Sequence, residues 1–211
     1  MKISVIKMAE QNIKRNNKKI QKLTVAACLA ALIVVMSFTF IGYLKIGVVS
    51  NTFIPIPVVI GAIIGGPSMG AVLGAVFGIT SLIQCFGMDV FGTTLMSISP
   101  LYTVILCIVP RILMGLFCGL IYNAMKNHKV SDNFSFAFTS FVGGFLNTAM
   151  FVGLLMLMFG QSDYLHNFGD NAMAIIGTLV TFNALIEWAA CLIIGTAVSK
   201  ALSKLLNKSN N

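Results

Sequence analysis

The sequence predicts an all-α integral membrane protein, a bundle of six transmembrane helices with both termini in the cytoplasm. Three observations carry this prediction. Apolar residues make up 57% of the 211 residues and charged residues only 9%, whereas a soluble domain usually carries roughly 25% charged residues. Six apolar segments follow one another along the chain. The basic residues concentrate at the two ends of the chain and on one side of the predicted membrane.

A helix needs about 20 apolar residues to cross the hydrocarbon core, and six apolar segments are candidates, of which the second is short. Pro55 and Pro57 stand at the start of the short second segment, where prolines cost a helix little, and Gly65-Gly66-Pro67 separates it from the third. The first segment lacks an obvious A-x-A cleavage site at its end, which favours a retained helix over a secretory signal. The six predicted spans are 23–41, 53–66, 68–86, 101–125, 136–159 and 172–200.

The distribution of lysine and arginine predicts the orientation. With the N-terminus placed inside, twelve basic residues fall on the inner side and only Lys45 on the outer side, the asymmetry expected of cytoplasmic loops. These basic flanks suit an anionic membrane surface better than a nucleic acid. The predicted organisation is a basic cytoplasmic segment at 1–22, one membrane domain at 23–205 and a cytoplasmic tail at 206–211. Two alternatives remain open for residues 1–22, an interfacial helix and a disordered tail.

Motifs of catalysis and of metal binding are missing from the sequence. It contains no GxxxxGK[ST] phosphate loop and no HExxH, so neither a P-loop ATPase site nor a zinc-peptidase site is predicted. The five cysteines are scattered through apolar stretches without a CxxC spacing, as expected of small buried hydrophobic residues. We therefore expect no enzyme activity, no cofactor and no metal site.

Polar residues at membrane depth are the main candidates for a binding site, because they are costly in lipid. Arg111 lies about ten residues into the fourth span, Asn147 near the middle of the fifth, and Glu187 deep in the sixth, with Asn183 one helical turn before it. At 1.5 Å rise per residue, Arg111 and Glu187 reach similar depths. These residues predict a polar pocket in the second half of the bundle. An Arg111–Glu187 ion pair that only joins two helices is the alternative.

Further candidates lie toward the predicted outer side. Gln84 is near the outer end of the third span, and Tyr43 and Lys45 lie in the loop Gly42–Thr52. That loop and the loop Phe86–Pro100 are longer than a tight turn needs, so they are candidates to close over a pocket, with plain connection as the alternative.

Small residues recur at four-residue spacing on several predicted helices. Such residues share a helix face and allow another helix to approach closely in lipid. Packing within the bundle and contact with another protein are both consistent with them. The residues are Ala26, Ala27, Ala30 and Ala31 in the first span, Gly66, Gly70, Gly74 and Gly78 along the third, and the pairs Gly61–Gly65 and Gly115–Gly119.

From residue 23 to residue 201 the chain resembles a known family, the substrate-binding subunits (S components) of energy-coupling factor (ECF) vitamin transporters. The order of several segments in a six-span chain carries the resemblance, and no single segment is diagnostic. Within the family these segments look most like the pantothenate-type branch. They are LTVAACLAALIVV, GYLKIG, IPIPVVIGAIIGGPSMGAVLGAVFGITSLIQ, PRILMGLFCGLIY, GGFLNTAMFVG and NALIEW.

The resemblance implies a function and partners. The protein would capture a vitamin from outside the cell, associate with a membrane coupling subunit and two cytoplasmic ATPases, and tip over in the plasma membrane to release its cargo. Its alanine face would meet the coupling subunit.

The vitamin itself is less constrained by the sequence. Arg111 would suit the carboxylate of pantothenate. If Glu187 neutralises Arg111, a neutral or amine-bearing vitamin such as pyridoxine or a hydroxymethylpyrimidine fits better, and riboflavin and folate stay open. A stand-alone secondary transporter or channel for a small polar solute is the competing class.

Overall fold

The architecture was obtained as a computed structural model, which describes residues 2–39, 43–45, 50–160, 162 and 182–208. In these residues the protein is a helical bundle with one short β-hairpin near its N-terminal end.

Helix α1 (Lys2–Phe38) contains 37 residues and is therefore about 55 Å long, well beyond the hydrocarbon thickness. Its apolar C-terminal part, Lys19–Phe38, is the portion suited to cross a membrane. Residues 2–22 are helical and run without a break past residue 22 into the first span, and the placement of this segment at the membrane interface stays a prediction.

Strands β1 (Tyr43–Lys45) and β2 (Ser50–Thr52) pair in an antiparallel hairpin within the first predicted outer loop. Helix α2 (Pro55–Gly65) follows and is buried from Pro55 to Ile63. Its 11 residues give a length of about 16 Å, roughly half of the hydrocarbon core. Gly66, with φ of +88°, then turns the chain into α3 (Pro67–Gln84), a backbone angle that glycine adopts at no steric cost.

Helix α4 (Val90–Ile98) occupies most of the segment Phe86–Pro100, which the sequence analysis treated as a loop. The local cause is a helix cap, since the Asp89 carboxylate accepts a hydrogen bond of 2.8 Å from the backbone N–H of Gly92. Helices α5 (Pro100–Asn127) and α6 (Asp132–Phe159) follow, each of 28 residues.

The last helical segment has three parts. Helix α7 (Phe182–Ala190) leads into a π-helical turn (Cys191–Gly195), and α8 (Thr196–Lys208) continues to the end of the described chain. Of the predicted span 172–200, residues 172–181 lie outside the described residues.

The described chain has five segments long and apolar enough to cross a membrane, in α1, α3, α5, α6 and the α7–α8 segment. This supports a multi-pass membrane bundle. Helix α2 is apolar but short, so a sixth crossing, like the inward placement of both termini, stays a prediction.

Glycines bring α3 and α5 together. A methyl group added at Gly70 would overlap the backbone carbonyl of Gly115, and one at Gly74 would overlap the carbonyl of Arg111. A methyl at Gly78 would lie 2.9 Å from Cα of Ile108. The glycines of α3 therefore serve packing inside the bundle, one of the two interpretations that their spacing left open.

Candidate functional site

The side chain of Arg111 on α5 is held by a backbone carbonyl that the preceding proline leaves free. Pro110 has no backbone N–H, so the carbonyl of Leu106, four residues earlier, loses its usual helical partner. Nη1 of Arg111 donates a 2.6 Å hydrogen bond to that carbonyl. The guanidinium carbon also lies 4.7 Å from the ring centre of Phe151 on α6 and 5.4 Å from that of Phe77 on α3, within the range of cation–π attraction. The charge is thus held where α3, α5 and α6 meet.

Asn147 and Glu187 form a direct contact between α6 and α7. Nδ2 of Asn147 donates a 2.8 Å hydrogen bond to Oε1 of Glu187. The two residues are only 6% and 7% exposed. The other polar atom of the amide, Oδ1 of Asn147, is buried and has no hydrogen-bond partner among the described residues. A buried acceptor in this condition is costly unless a ligand or a water satisfies it.

The hydrogen-bond partner of the Glu187 carboxylate is Asn147 and not Arg111. Arg111 and Glu187 are both described residues, and no ion pair within 4.0 Å joins them; the pair found in the described chain is that of Lys126 with Asp132, at 3.0 Å. Phe151, which contacts Arg111, lies one turn along α6 from Asn147. Arg111 and the Asn147–Glu187 pair are therefore neighbours along the same face of α6, without the helix-joining ion pair that the sequence offered as an alternative.

Trp188 adds a second polar contact between α6 and α7. Its indole N–H donates to the Thr148 hydroxyl at 3.2 Å, and its ring meets the edges of Phe141 and Phe145. Trp188, Phe77 and Phe151 were not predicted from the sequence to belong to the site. The only tryptophan of the chain, next to Glu187 in the NALIEW segment, was the available signal for the first of these.

Three predicted site residues are located by their backbone. Asn183 lies in the first turn of α7, one turn before Glu187. Tyr43 and Lys45 are in β1, and its partner β2 packs beside α7. The hairpin thus lies beside α7, the helix that carries Asn183. The side chains of these residues are outside the described part of the structure, so their roles stay predictions.

Gln84 contacts a different part of the bundle. Its side-chain amide donates to the backbone carbonyl of Ser37, and the hydroxyls of Ser37 and Thr80 lie 2.9 Å apart. These contacts join α3 to the end of α1. The structure therefore gives Gln84 a contact between helices, and its predicted place in the binding site stays untested.

The two overlapping alanine pairs of α1 point in different directions. Ala27 and Ala31 are exposed on the bundle surface, whereas Ala26 and Ala30 are partly buried and Ala30 packs against the core. The outward pair is the one that another protein can reach.

Further buried hydroxyl groups lie between α6 and α8, beyond Asn147 along α6. The side-chain oxygens of Thr139 and Ser140 on α6, and of Thr196 and Ser199 on α8, are buried without hydrogen-bond partners among the described residues. The π-helical turn faces them, since a methyl group at Gly195 would lie 2.8 Å from Oγ of Ser140. These hydroxyl groups could not be predicted from the sequence, because serine and threonine are common in membrane helices and carry no charge.

The family of ECF transporter substrate-specific components has a sequence model that matches residues 21–199 of this chain. The chain is also similar to two curated proteins over nearly their whole length. It is 29% identical to the pantothenic acid transporter PanT of Lactococcus lactis subsp. cremoris over 196 residues, 87% of this chain and 94% of that protein. It is 27% identical to the pantothenate transporter PanT of Leuconostoc mesenteroides subsp. mesenteroides over 206 residues, 92% of this chain and 98% of that protein.

Proposed function

Because the chain belongs to the family of ECF transporter substrate-specific components, and is thus a membrane subunit for vitamin uptake and not an enzyme, we propose that its vitamin is pantothenate. The observation that carries the proposal is the buried polar cluster of Arg111, Asn147 and Glu187 where α5, α6 and α7 meet. The names of the two similar proteins, both pantothenate transporters, support the same substrate.

Pantothenate is a carboxylate that also carries two hydroxyls and an amide. The planar guanidinium of Arg111 suits its carboxylate, since a guanidinium donates two parallel hydrogen bonds to such a group. Oδ1 of Asn147, buried without a partner among the described residues, suits a hydroxyl or amide hydrogen of the ligand. Glu187 is bonded to Asn147, which weakens the argument that it neutralises Arg111 and so the argument for pyridoxine or a hydroxymethylpyrimidine. The hairpin β1–β2, with Tyr43 and Lys45, and the outer end of α7, with Asn183, are proposed to cover the ligand.

Calorimetry with two matched ligands tests this assignment. Panthenol has a hydroxyl where pantothenate has its carboxylate. We expect pantothenate to bind to the purified protein more tightly than panthenol. Arg111→Lys should weaken pantothenate binding at least about tenfold, a loss of about 1–3 kcal/mol, because lysine lacks the planar fork. The same variant should change panthenol binding much less.

The control is Gly153→Ala on α6, where a methyl group meets nothing within 4 Å, and it should leave both affinities unchanged. Two results would show that Arg111 does not bind the carboxylate of the ligand. One is equal wild-type affinity for the two ligands, and the other is unchanged pantothenate affinity in the Arg111→Lys variant. If the protein binds another vitamin more tightly than pantothenate, that vitamin is its substrate and the proposal fails. The vitamins to compare are pyridoxine, a hydroxymethylpyrimidine, riboflavin and folate.

The proposal includes energy-driven delivery through partners, as in the family: a membrane coupling subunit and two cytoplasmic ATPases in the plasma membrane. The exposed pair Ala27 and Ala31 is the proposed contact with the coupling subunit. Ala27→Leu should leave pantothenate affinity unchanged and abolish uptake by cells that supply the partners, because a bulky side chain prevents close helix approach. Ala30→Leu, which faces the core, should instead lower thermal stability. Uptake in cells without the ATPases would favour the competing class, a stand-alone secondary transporter or channel.

The proposed topology has six crossings with both termini in the cytoplasm, supported by the distribution of basic residues. Single cysteines introduced at Asn127 and Asn210, in a background without reactive cysteines, should be protected in intact cells from an impermeant thiol reagent. Labelling of either position from outside would overturn this orientation.

A further inference from the structure

A cavity of about 610 Å³ lies far from the Arg111 cluster, where α1, the α2–α3 turn, α5 and α8 come together. Asn123 on its wall is 12 residues beyond Arg111 on α5, a distance of about 18 Å along the helix. The cavity is thus at the end of the bundle that carries most of the basic residues, which the proposed topology places at the cytoplasmic surface of the membrane.

The wall of this cavity is suited to an anion. Lys22 of α1 and Lys126 of α5 line it, and its described lining contains no carboxylate. The carboxylate of Asp132, which is bonded to Lys126 at 3.0 Å, offsets part of this charge. Gly66 and Pro67, at the turn between α2 and α3, also line the cavity. The N–H of Gly66 donates to the carbonyl of Ala62 and Pro67 has no N–H, so the lysines are the groups there that attract an anion.

Tyr122 provides an observation independent of charge. This residue is only 8% exposed, its ring stacks on Phe136 at 5.7 Å, and it lines the cavity. Within the described chain no hydrogen bond reaches its hydroxyl, which is therefore a rigidly held polar group available to an occupant. The amide of Asn123 and the hydroxyl of Ser203 complete a polar wall.

Another part of the wall is apolar and includes Ile63 and Ile64 of α2. We propose that the cavity binds a phosphate-bearing anion, presented by the headgroup of an anionic phospholipid of the inner leaflet. The lysines and the Tyr122 hydroxyl contact the phosphate, and the apolar wall contacts the glycerol and the first part of an acyl chain. A compound with one anionic and one apolar end satisfies both walls, whereas a free phosphate satisfies only the first.

A lipid titration of the full chain in detergent micelles tests this site, with thermal stability as the readout. Phosphatidylglycerol should raise the melting temperature saturably, and phosphatidylcholine, inorganic phosphate and glycerol 3-phosphate should not. In the Lys22→Gln variant, the phosphatidylglycerol concentration that gives half of the rise in melting temperature should increase about tenfold, because one charge-assisted contact is lost. Lys200→Gln removes an exposed basic charge of α8 that does not line the cavity and should change this amount less than twofold.

Two further variants separate shape from charge. Ser203→Phe fills the cavity without changing the charge and should abolish the lipid effect, whereas Asp132→Asn releases Lys126 and should strengthen it. Equal effects of Lys22→Gln and Lys200→Gln, or an unchanged titration in Ser203→Phe, would overturn the proposal in favour of general attraction to a charged surface. Stabilisation by glycerol 3-phosphate equal to that by the lipid would keep the anion site and assign it to a soluble ligand.

A protein occupant is the remaining outcome. If the Lys22 and Ser203 variants leave the lipid titration unchanged and instead lose co-purification of the coupling subunit, the cavity is a protein contact and the lipid proposal fails. None of these measurements uses a vitamin, so their result is independent of the proposed substrate.

Discussion

Two helix seams of this bundle are held together in opposite ways. Between α3 and α5, glycines place backbone against backbone, so that Gly70 lies on the carbonyl of Gly115 and Gly74 on that of Arg111. Between α6 and the α7–α8 segment, polar side chains face each other, and several of them lack partners in the described chain. One such atom is Oδ1 of Asn147, and others are the hydroxyls of Ser140 and Ser199.

The α3–α5 seam is therefore a rigid frame, and the seam between α6 and the α7–α8 segment is an adaptable wall. Close backbone contact tolerates no added atom, so the α3–α5 seam fixes the position of Arg111 through its own main chain. Unsatisfied buried polar groups cost free energy in the unliganded state. Binding or rearrangement along the α6 seam recovers that cost, so the second seam is the one expected to respond to a ligand.

The largest expected effect breaks the rigid seam. Gly74→Ala adds a methyl group that overlaps the Arg111 carbonyl, and since backbone cannot yield like a flexible side chain, unfolding free energy should fall by about 3 kcal/mol. The pantothenate affinity should fall with it. The matched control is Gly153→Ala on α6, which meets nothing within 4 Å and should be neutral or slightly stabilising. Thermal unfolding in detergent measures both, and a stable Gly74→Ala protein would contradict the rigid seam.

A smaller effect is expected in the adaptable wall at Asn147. Asn147→Ala leaves the buried Glu187 carboxyl group without its described hydrogen bond, which should lower stability by about 1–3 kcal/mol and pantothenate affinity by about tenfold or more. Glu187→Gln keeps an acceptor oxygen at the same place, so its stability should stay near that of the wild type. If both variants unfold at the wild-type temperature, the contact contributes nothing measurable.

The smallest effect compares one serine from each region. Ser37, joined to the carbonyl of Ile33 at 2.7 Å and to Thr80, is a satisfied buried hydroxyl, whereas Ser140 has no partner in the described chain. Ser37→Ala should lower stability by about 1 kcal/mol, and Ser140→Ala should raise it by a similar amount. Chemical or thermal unfolding of the two variants decides the matter. A loss of stability in Ser140→Ala would show that a water or an undescribed residue already satisfies its hydroxyl.

Much of the fold followed from hydropathy alone. The long apolar runs placed α3, α5 and α6 within a few residues of their observed ends, because lipid demands about 20 apolar residues whatever the neighbouring helices are. The four-residue glycine spacing of α3 likewise predicted close packing. Helix α4 was missed because it is short and its start depends on the single cap of Asp89.

The candidate site was predictable by residue but not by contact. The cost of polar groups in lipid identified Arg111, Asn147 and Glu187. Opposite charges suggested Arg111 and Glu187 as partners, yet the choice between Arg111 and Asn147 depends on how α6 and α7 are rotated. A π-helical turn at Cys191–Gly195 changes that rotation, and no feature of the sequence reveals it.

Helix α2 has a consequence for how the protein is made. Its 11 residues are too few to enter a bilayer as an independent segment, and the short Gly66 turn ties it to α3. We therefore expect the two to be inserted together, as a hairpin. The helices that bury α2 include α5 and α6, which the ribosome completes later. We expect the newly made hairpin to reach its final packing only after α5 and α6 have been synthesised.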